Sequence, residues 1–202
     1  MIIGVDFDNT IVSYDALFHR VALEQKLIPE STPISKSLVR DHLRKIGKED
    51  VWTEMQGTVY GPRMREAQPF PGVLEFFTRC RAIGQPVYII SHRSRYPYLG
   101  EQHDLHAAAR DWLDVYAFHD AARIGLPRTS AFFELSKAEK IARIGQTKVT
   151  HFIDDLPELL DDATFPAAVE KILFDPTDVH AKTSLPRATS WPAIERLLLP
   201  PG

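Results

Sequence analysis

Cysteine is nearly missing from this chain: Cys80 stands alone among 202 residues. A single thiol forms no internal disulfide and no thiolate-built metal site, which excludes disulfide scaffolds and cysteine-rich zinc modules and fits a reducing cytoplasm. Long apolar runs are missing as well. None approaches the roughly 20 residues of a membrane span, so no membrane partner is expected. The segment from Met1 to Asp8 has no basic n-region and breaks its apolar run with Asp6 and Asp8, which is not the pattern of a signal peptide. Nor does one sign of charge dominate, since 24 Lys and Arg face 27 Asp and Glu for a net charge of −3. Proteins that coat nucleic acid draw their affinity from a basic excess, so that class is excluded too. Repeats, low-complexity tracts and flexible linkers are likewise not found. What is present is 44% hydrophobic and 25% charged residues, enough for a full core in one domain or a domain and a half.

The order of hydrophobic patterns sets a fold class. Ile2 to Val5 is a continuous apolar run and predicts a buried strand. Between residues 14 and 61 three stripes recur at helical spacing: Tyr14, Leu17, Phe18, Val21 and Ala22; Leu38, Val39, His42, Leu43 and Ile46; Val51, Trp52, Met55 and Val59. Pro29, Pro33 and Gly47 separate them, and Gly61-Pro62 closes the third. From Pro69 strands and helices alternate. Val73 to Ile83 reads as a helix and Val87 to Ile90 as a strand; Asp104 to Tyr116 reads as a helix with Leu105, Ala108, Trp112 and Val115 on one face. A strand around Ala131 to Phe133, a helix from Ser136 to Ile144 and strands at Val149 to Ile153 and Ile172 to Phe174 follow. Trp191 to Leu199 closes the chain as a helix, with Ser190 placed as its N-cap. Such alternation predicts an α/β, Rossmann-like parallel sheet with helices on both faces. In these sheets ligands bind at the carboxyl ends of the strands.

Those strand ends carry the polar residues. The first strand runs into Asp6-Phe7-Asp8-Asn9-Thr10, the second into Ser91-His92-Arg93, and Val149 to Ile153 into Asp154-Asp155. Lys137 opens the preceding helix. Four acids at one sheet edge repel one another unless a cation sits among them.

In these residues the chain resembles the haloacid dehalogenase-like hydrolase superfamily. Asp6, Asp8 and Thr10 meet its first motif, D-x-D-x-T, and Ser91 its second. Lys137 meets the third, with Lys140 three residues along the helix as the rival lysine, and Asp154-Asp155 meets the fourth, paired-acid motif. The resemblance covers roughly residues 1 to 12 and 70 to 200 and includes Phe70-Pro71-Gly72-Val73 and the run Phe152 to Glu158. Each motif alone is weak; the ordered set is specific. The resemblance implies a Rossmann-like catalytic core at 1–13 and 69–202 and a small all-helical cap inserted at 14–68.

It also implies a chemistry. Asp6 would attack phosphorus and become an aspartyl phosphate, while Asp8 would protonate the leaving oxygen and later activate water. Mg²⁺ would be held by the Asp6 carboxylate, the Asp8 carbonyl and one or both of Asp154 and Asp155, an oxygen set that suits a hard cation. Ser91 and Lys137 would bind the phosphoryl oxygens. Asp8 separates phosphoryl transfer from dehalogenation, which needs no general acid there. The expected function is thus a Mg²⁺-dependent phosphomonoesterase acting on a small phosphorylated metabolite, a sugar phosphate or nucleotide. A phosphomutase and a non-catalytic phosphometabolite-binding protein are the alternatives.

Other features divide between function and packing. Arg93 and Arg95, followed by Tyr96 and Tyr98, form a loop able to grip a further anionic or ring-shaped part of a substrate, or simply to pack. His103 and His106 have a ligand-like spacing beside Asp104, but no further ligand lies nearby, so a helix-start surface is expected. Arg40, Arg44, Lys45 and Lys48 are interleaved with Asp41, Glu49 and Asp50 as a solvated face. Oligomeric state leaves no signature in these patterns.

Overall fold

The computed structural model describes residues 1–201. Its strands are β1 (Ile3–Val5), β2 (Val12–Ser13), β3 (Gln68–Pro69), β4 (Val87–His92), β5 (Ala131–Glu134), β6 (His151–Asp154), β7 (Glu170–Phe174) and β8 (Arg187–Ala188). Its helices are α1 (Asp15–Glu24), α2 (Lys36–Lys45), α3 (Glu49–Tyr60), α4 (Val73–Ala82), α5 (Leu105–Val115), α6 (Lys137–Gln146), α7 (Pro157–Leu160) and α8 (Trp191–Leu198). They fall into two compact units: residues 1–12, 69–92 and 117 onward, and residues 13–68 with 93–116.

The first unit is a six-stranded sheet in the order β5-β4-β1-β6-β7-β8, with β2 and β3 forming a separate two-stranded ladder. Neighbouring strands of the large sheet are parallel, as the alternation of patterns requires. β1 lies inside the sheet, fully buried, which is why its sequence is continuously apolar rather than alternating. After β1 the chain builds outward through β4 and β5, then returns to the other side of β1 with β6. That reversal is a topological switch point, where parallel sheets open a crevice at their carboxyl ends.

Successive strand residues point to opposite faces, and both faces are packed. Leu173 of β7 joins Ile141, Ile144, Phe152, Leu159 and Phe165 in one core layer. Its neighbour Phe174 instead meets Trp191, whose ring also lies 5.0 Å from Phe76. Gly4 is required by this packing. A Cβ there would stand 2.5 Å from the Phe152 ring, the residue paired beside it on β6.

Local signals account for the helix starts. Ser136 accepts the Glu139 N–H while Glu139 accepts the Leu135 N–H, a reciprocal cap that opens α6. Ser190 caps α8 as expected, accepting from the Ala193 N–H. The first turns of α2 and α5 are capped by Ser35 and Asp104.

The second unit contains α1, α2 and α3, as the three stripes predict, together with α5. Residues 93–116, which the sequence boundaries assign to the core, group with the helical insertion. The cause is visible at Ala67, whose carbonyl accepts both the Trp112 indole N–H at 2.9 Å and the Tyr116 hydroxyl at 3.0 Å. The inward face of α5 accordingly carries Leu105, Ala109, Trp112 and Leu113, and the expected Val115 is exposed. The ends of β4 and the short β2, β3 and β8 are further differences. Two- and three-residue extensions have no periodicity from which to be read.

Candidate active site

β4, β1 and β6 are adjacent, so their carboxyl ends bring Ser91, Asp6 and Asp154 to one edge of the first unit. Asp6 follows β1 directly, its N–H bonded to the Ile153 carbonyl at 2.9 Å. The chain then turns tightly: the Phe7 carbonyl accepts from both Ile11 and Val12, and Asn9 takes a left-handed φ of 59°. Asparagine tolerates that conformation better than other non-glycine residues. The turn is pinned from outside as well. The Trp191 indole donates to the Thr10 carbonyl at 3.0 Å, and the Phe70 N–H to that of Ile11 at 2.9 Å.

Asp6, Asp154 and Asp155 each offer a carboxylate oxygen, all within 4.8 Å of one another. Asp6 and Asp154 are buried and Asp155 is half-buried. Lys140 binds two of them: its Nζ donates to Asp6 Oδ1 and to Asp154 Oδ2, each at 2.6 Å, with no side-chain exposure. The other Asp154 oxygen accepts the Leu156 N–H at 2.9 Å. Asp155 receives a longer bond from the Thr10 hydroxyl, 3.4 Å. Thr10 thereby ties the strand-one turn to the paired acids.

Of the two candidate lysines, the structure brings Lys140 and not Lys137 to the acids. Lys137 points to Asp162 at 2.6 Å and is 45% exposed, whereas Lys140 is the residue among the acids. Helical side chains lean toward the helix N-terminus, so a long residue one turn inside α6 reaches back to the strand ends. Lys140 also packs its ammonium 5.6 Å from the Phe152 ring centroid, the ring that Gly4 makes room for.

Electrostatics follow from this geometry. Burial pushes the Asp6 carboxyl up to about 6; Lys140 pulls it down, and the charges of Asp154 and Asp8 add to the rise. Burial disfavours the charged ammonium of Lys140, but Asp154 and Asp6 outweigh it and hold its proton more firmly than usual. One ammonium does not neutralise these carboxylates. A buried, oxygen-only set with excess negative charge fits a hard divalent cation such as Mg²⁺.

Ser91 lies within β4 rather than after it, paired with Phe133, and its Oγ is buried without a hydrogen-bond partner. A hydroxyl in that state is a ready donor to a ligand oxygen. The neighbouring His92 belongs to none of the four motifs. Its pKa is lowered, first by burial and then by the Lys140 charge, with Asp6 and Asp8 opposing, and its Nδ1 has no hydrogen-bond partner. Its position one residue after Ser91 was the available signal.

Arg93 and Arg95 belong to the second unit. Arg93 is buried, with Nη1 3.6 Å from the Met64 sulfur and its guanidinium 5.4 Å from the Tyr60 ring centroid. Arg95 is exposed and bonds Asp104, the cap of α5, at 3.1 Å. His106 meets the Arg93 carbonyl and His103 faces Glu101, so the two histidines do not converge as a ligand pair.

No family model matches the chain. Among curated proteins it is similar to a putative nucleotidase of Bacillus cereus, 26% identical over 148 residues, covering 70% of this chain and 65% of that protein. The chain thus spans a little under two thirds of that relative. Among solved structures it superposes on a haloacid dehalogenase-superfamily hydrolase from Ehrlichia chaffeensis with a TM-score of 0.59 at 10% identity, covering 97% of this chain and 94% of that one. A phosphoserine phosphohydrolase-like protein from Francisella tularensis matches at TM-score 0.54 and 14% identity, over 98% of this chain and 99% of that one. A dehalogenase is among the structures of the same fold.

Proposed function

We propose that this protein, which has the fold of the haloacid dehalogenase-like hydrolases, is a Mg²⁺-dependent phosphomonoesterase acting on a small phosphorylated metabolite. The observation that carries the reading is the carboxylate trio of buried Asp6 and Asp154 with half-buried Asp155, the first two joined by Lys140, at the switch point of the sheet. The names of the Bacillus cereus and Francisella tularensis proteins are consistent with phosphate ester chemistry.

In this reading Asp6 is the nucleophile. Its carboxylate attacks phosphorus, the bond from phosphorus to the leaving oxygen breaks, and the phosphoryl group stays on Asp6 as an acyl phosphate. Asp8 gives its proton to the leaving oxygen. It then takes a proton from water, whose oxygen attacks the phosphorus, releasing inorganic phosphate and restoring the Asp6 carboxylate. Lys140 holds Asp6 in place and offsets negative charge as the phosphate arrives. Ser91 donates its orphaned hydroxyl proton to a phosphoryl oxygen. Asp6, Asp154 and Asp155 would hold Mg²⁺, which lets an anionic nucleophile approach an anionic ester.

The test is phosphate release from p-nitrophenyl phosphate with Mg²⁺. EDTA should abolish it, and Asp6→Asn should lower kcat by at least roughly 10³-fold. Turnover that survives Asp6→Asn overturns the assignment of the nucleophile.

A further inference from the structure

The first motif is a turn as well as a set of side chains, and a residue from the last helix helps to hold it. Asp6 is anchored at its own position, by its N–H on the Ile153 carbonyl and by Lys140 on its carboxylate. Asp8 lies two residues further, inside the turn, beside Asn9 with its left-handed φ of 59°. A non-glycine residue keeps that conformation only where its surroundings over-determine it. One such tie comes from α8. The Trp191 indole N–H donates to the Thr10 carbonyl at 3.0 Å across 181 positions of sequence, and both residues are fully buried.

Trp191 is itself firmly seated. Ser190 caps the helix that Trp191 opens, and the Trp191 ring lies 5.0 Å from Phe76, 5.8 Å from Phe174 and 6.3 Å from Phe77. Gly72 leaves room for this start of α8: a Cβ there would stand 3.0 Å from the Trp191 Cβ and 2.9 Å from the Pro192 Cδ. An indole offers one donor and no acceptor, and when buried its N–H needs an oxygen. The oxygen that it meets belongs to the turn of Asp6 and Asp8. Thr10 passes the tie on, since its hydroxyl donates to Asp155 at 3.4 Å. A phenylalanine at 191 would keep much of the ring packing and deprive the buried Thr10 carbonyl of that donor.

We propose that Trp191 is a positioning residue for proton transfer by Asp8, holding the turn through the Thr10 carbonyl. The role rests on the phosphomonoesterase reading, in which Asp8 gives its proton to the leaving oxygen. It gives α8, which carries no motif, a part in the reaction without contact to the substrate. The placement of a proton donor matters more, the more the leaving oxygen needs the proton. p-Nitrophenolate departs as a stabilised anion and needs little help, whereas phenolate is the more basic leaving group and needs more. Loosening the turn therefore slows cleavage of phenyl phosphate more than that of p-nitrophenyl phosphate. General destabilisation of the fold lowers both alike.

The experiment compares the full-length wild type, Trp191→Phe and Phe76→Leu, the last a control that loosens the same aromatic packing and keeps the indole N–H. kcat/KM is measured for the two esters with Mg²⁺, and amide hydrogen exchange of the segment Phe7 to Val12 is followed by mass spectrometry. Trp191→Phe should lower kcat/KM for phenyl phosphate about tenfold more than for p-nitrophenyl phosphate, a modest part of what general acid catalysis supplies. Exchange in the segment should rise by roughly threefold to tenfold, as loss of one buried hydrogen bond implies. Phe76→Leu should leave the ratio of the two esters at its wild-type value. β-(3-Benzothienyl)alanine placed at position 191, an isostere with sulfur in place of the N–H, should repeat the Trp191→Phe result without a change of volume, and serves where Trp191→Phe does not fold. An unchanged ester ratio or unchanged exchange on loss of the N–H, or the same change of ratio in Phe76→Leu, overturns the role. Turnover of neither ester by the wild type overturns the phosphomonoesterase reading and this role with it, and is told apart because it shows before any substitution.

Discussion

Lys137 and Lys140 show how much of a site rests on the direction of one side chain. Both lie in the opening turns of α6, yet one is bound to Asp162 at the surface and the other is sealed between Asp6 and Asp154. Removing one partner of a buried charge pair is far more damaging than cutting a surface bridge. Lys140→Met should therefore reduce kcat by about 100-fold or more, the scale expected for loss of a preorganised electrostatic contact. Lys137→Met should change it by less than about threefold, within the small energy of a surface pair. Parallel initial-rate measurements on the two variants check this order, and the reverse order would sink the assignment. Asp6, Asp8, Ser91, Asp154 and Asp155 could be picked out from residue type and strand-end position. Choosing the lysine needed the backward lean of helical side chains and the depth of α6 against the sheet, neither of which a motif contains.

At the scale of elements, β1 and β6 are matched through Gly4 and Phe152. The Phe152 ring occupies the space above Gly4 and also lies under the Lys140 ammonium. Gly4→Ala must displace that ring, and overpacking of this kind costs about 1–3 kcal/mol. The expected outcome is a lower midpoint in urea unfolding with an unchanged slope, together with a fall in kcat because Lys140 loses its support. A variant as stable as the parent would show that the ring moves freely. Ser136 was expected only as a helix start and its pairing with Glu139 emerged from the structure, whereas the Ser190 cap before Trp191 was readable from its position in the sequence. The grouping of α5 with the helical insertion was not. Its apolar stripe announces a buried face, and only the meeting of Trp112 and Tyr116 with the Ala67 carbonyl says which partner that face buries against.

For the whole molecule, the near-balanced charge conceals a local excess at the sheet edge, and a cation that binds there stabilises the folded chain by mass action. Mg²⁺ at a hundredfold its dissociation constant adds about 2.7 kcal/mol, on the order of 5–10 °C in Tm for a chain of this size. The pH dependence has an uncommon sign. Asp6 is raised from an ordinary 3.8 to about 6, so between those values the folded state keeps a proton that the unfolded chain has released. In the metal-free protein this group's contribution therefore improves as pH falls from above 6 toward 3.8, and is lost as pH rises through 6. The metal needs the carboxylate, so the Mg²⁺-induced rise in Tm should shrink as pH falls below 6. Thermal melts with Mg²⁺ or EDTA between pH 4.5 and 8, on wild type and Asp6→Asn, check both slopes; a Mg²⁺ increment independent of pH in wild type would remove Asp6 from the ligand set.

By itself the sequence determined the class of fold and the chemistry-bearing strand ends, because hydrophobic period and strand-terminal polarity are local properties repeated along the chain. Tertiary structure decided which lysine meets the acids and that residues 93–116 join the helical unit. Each of these is a relation between side chains distant in sequence, set by how faces pack, and packing is a property of the folded whole.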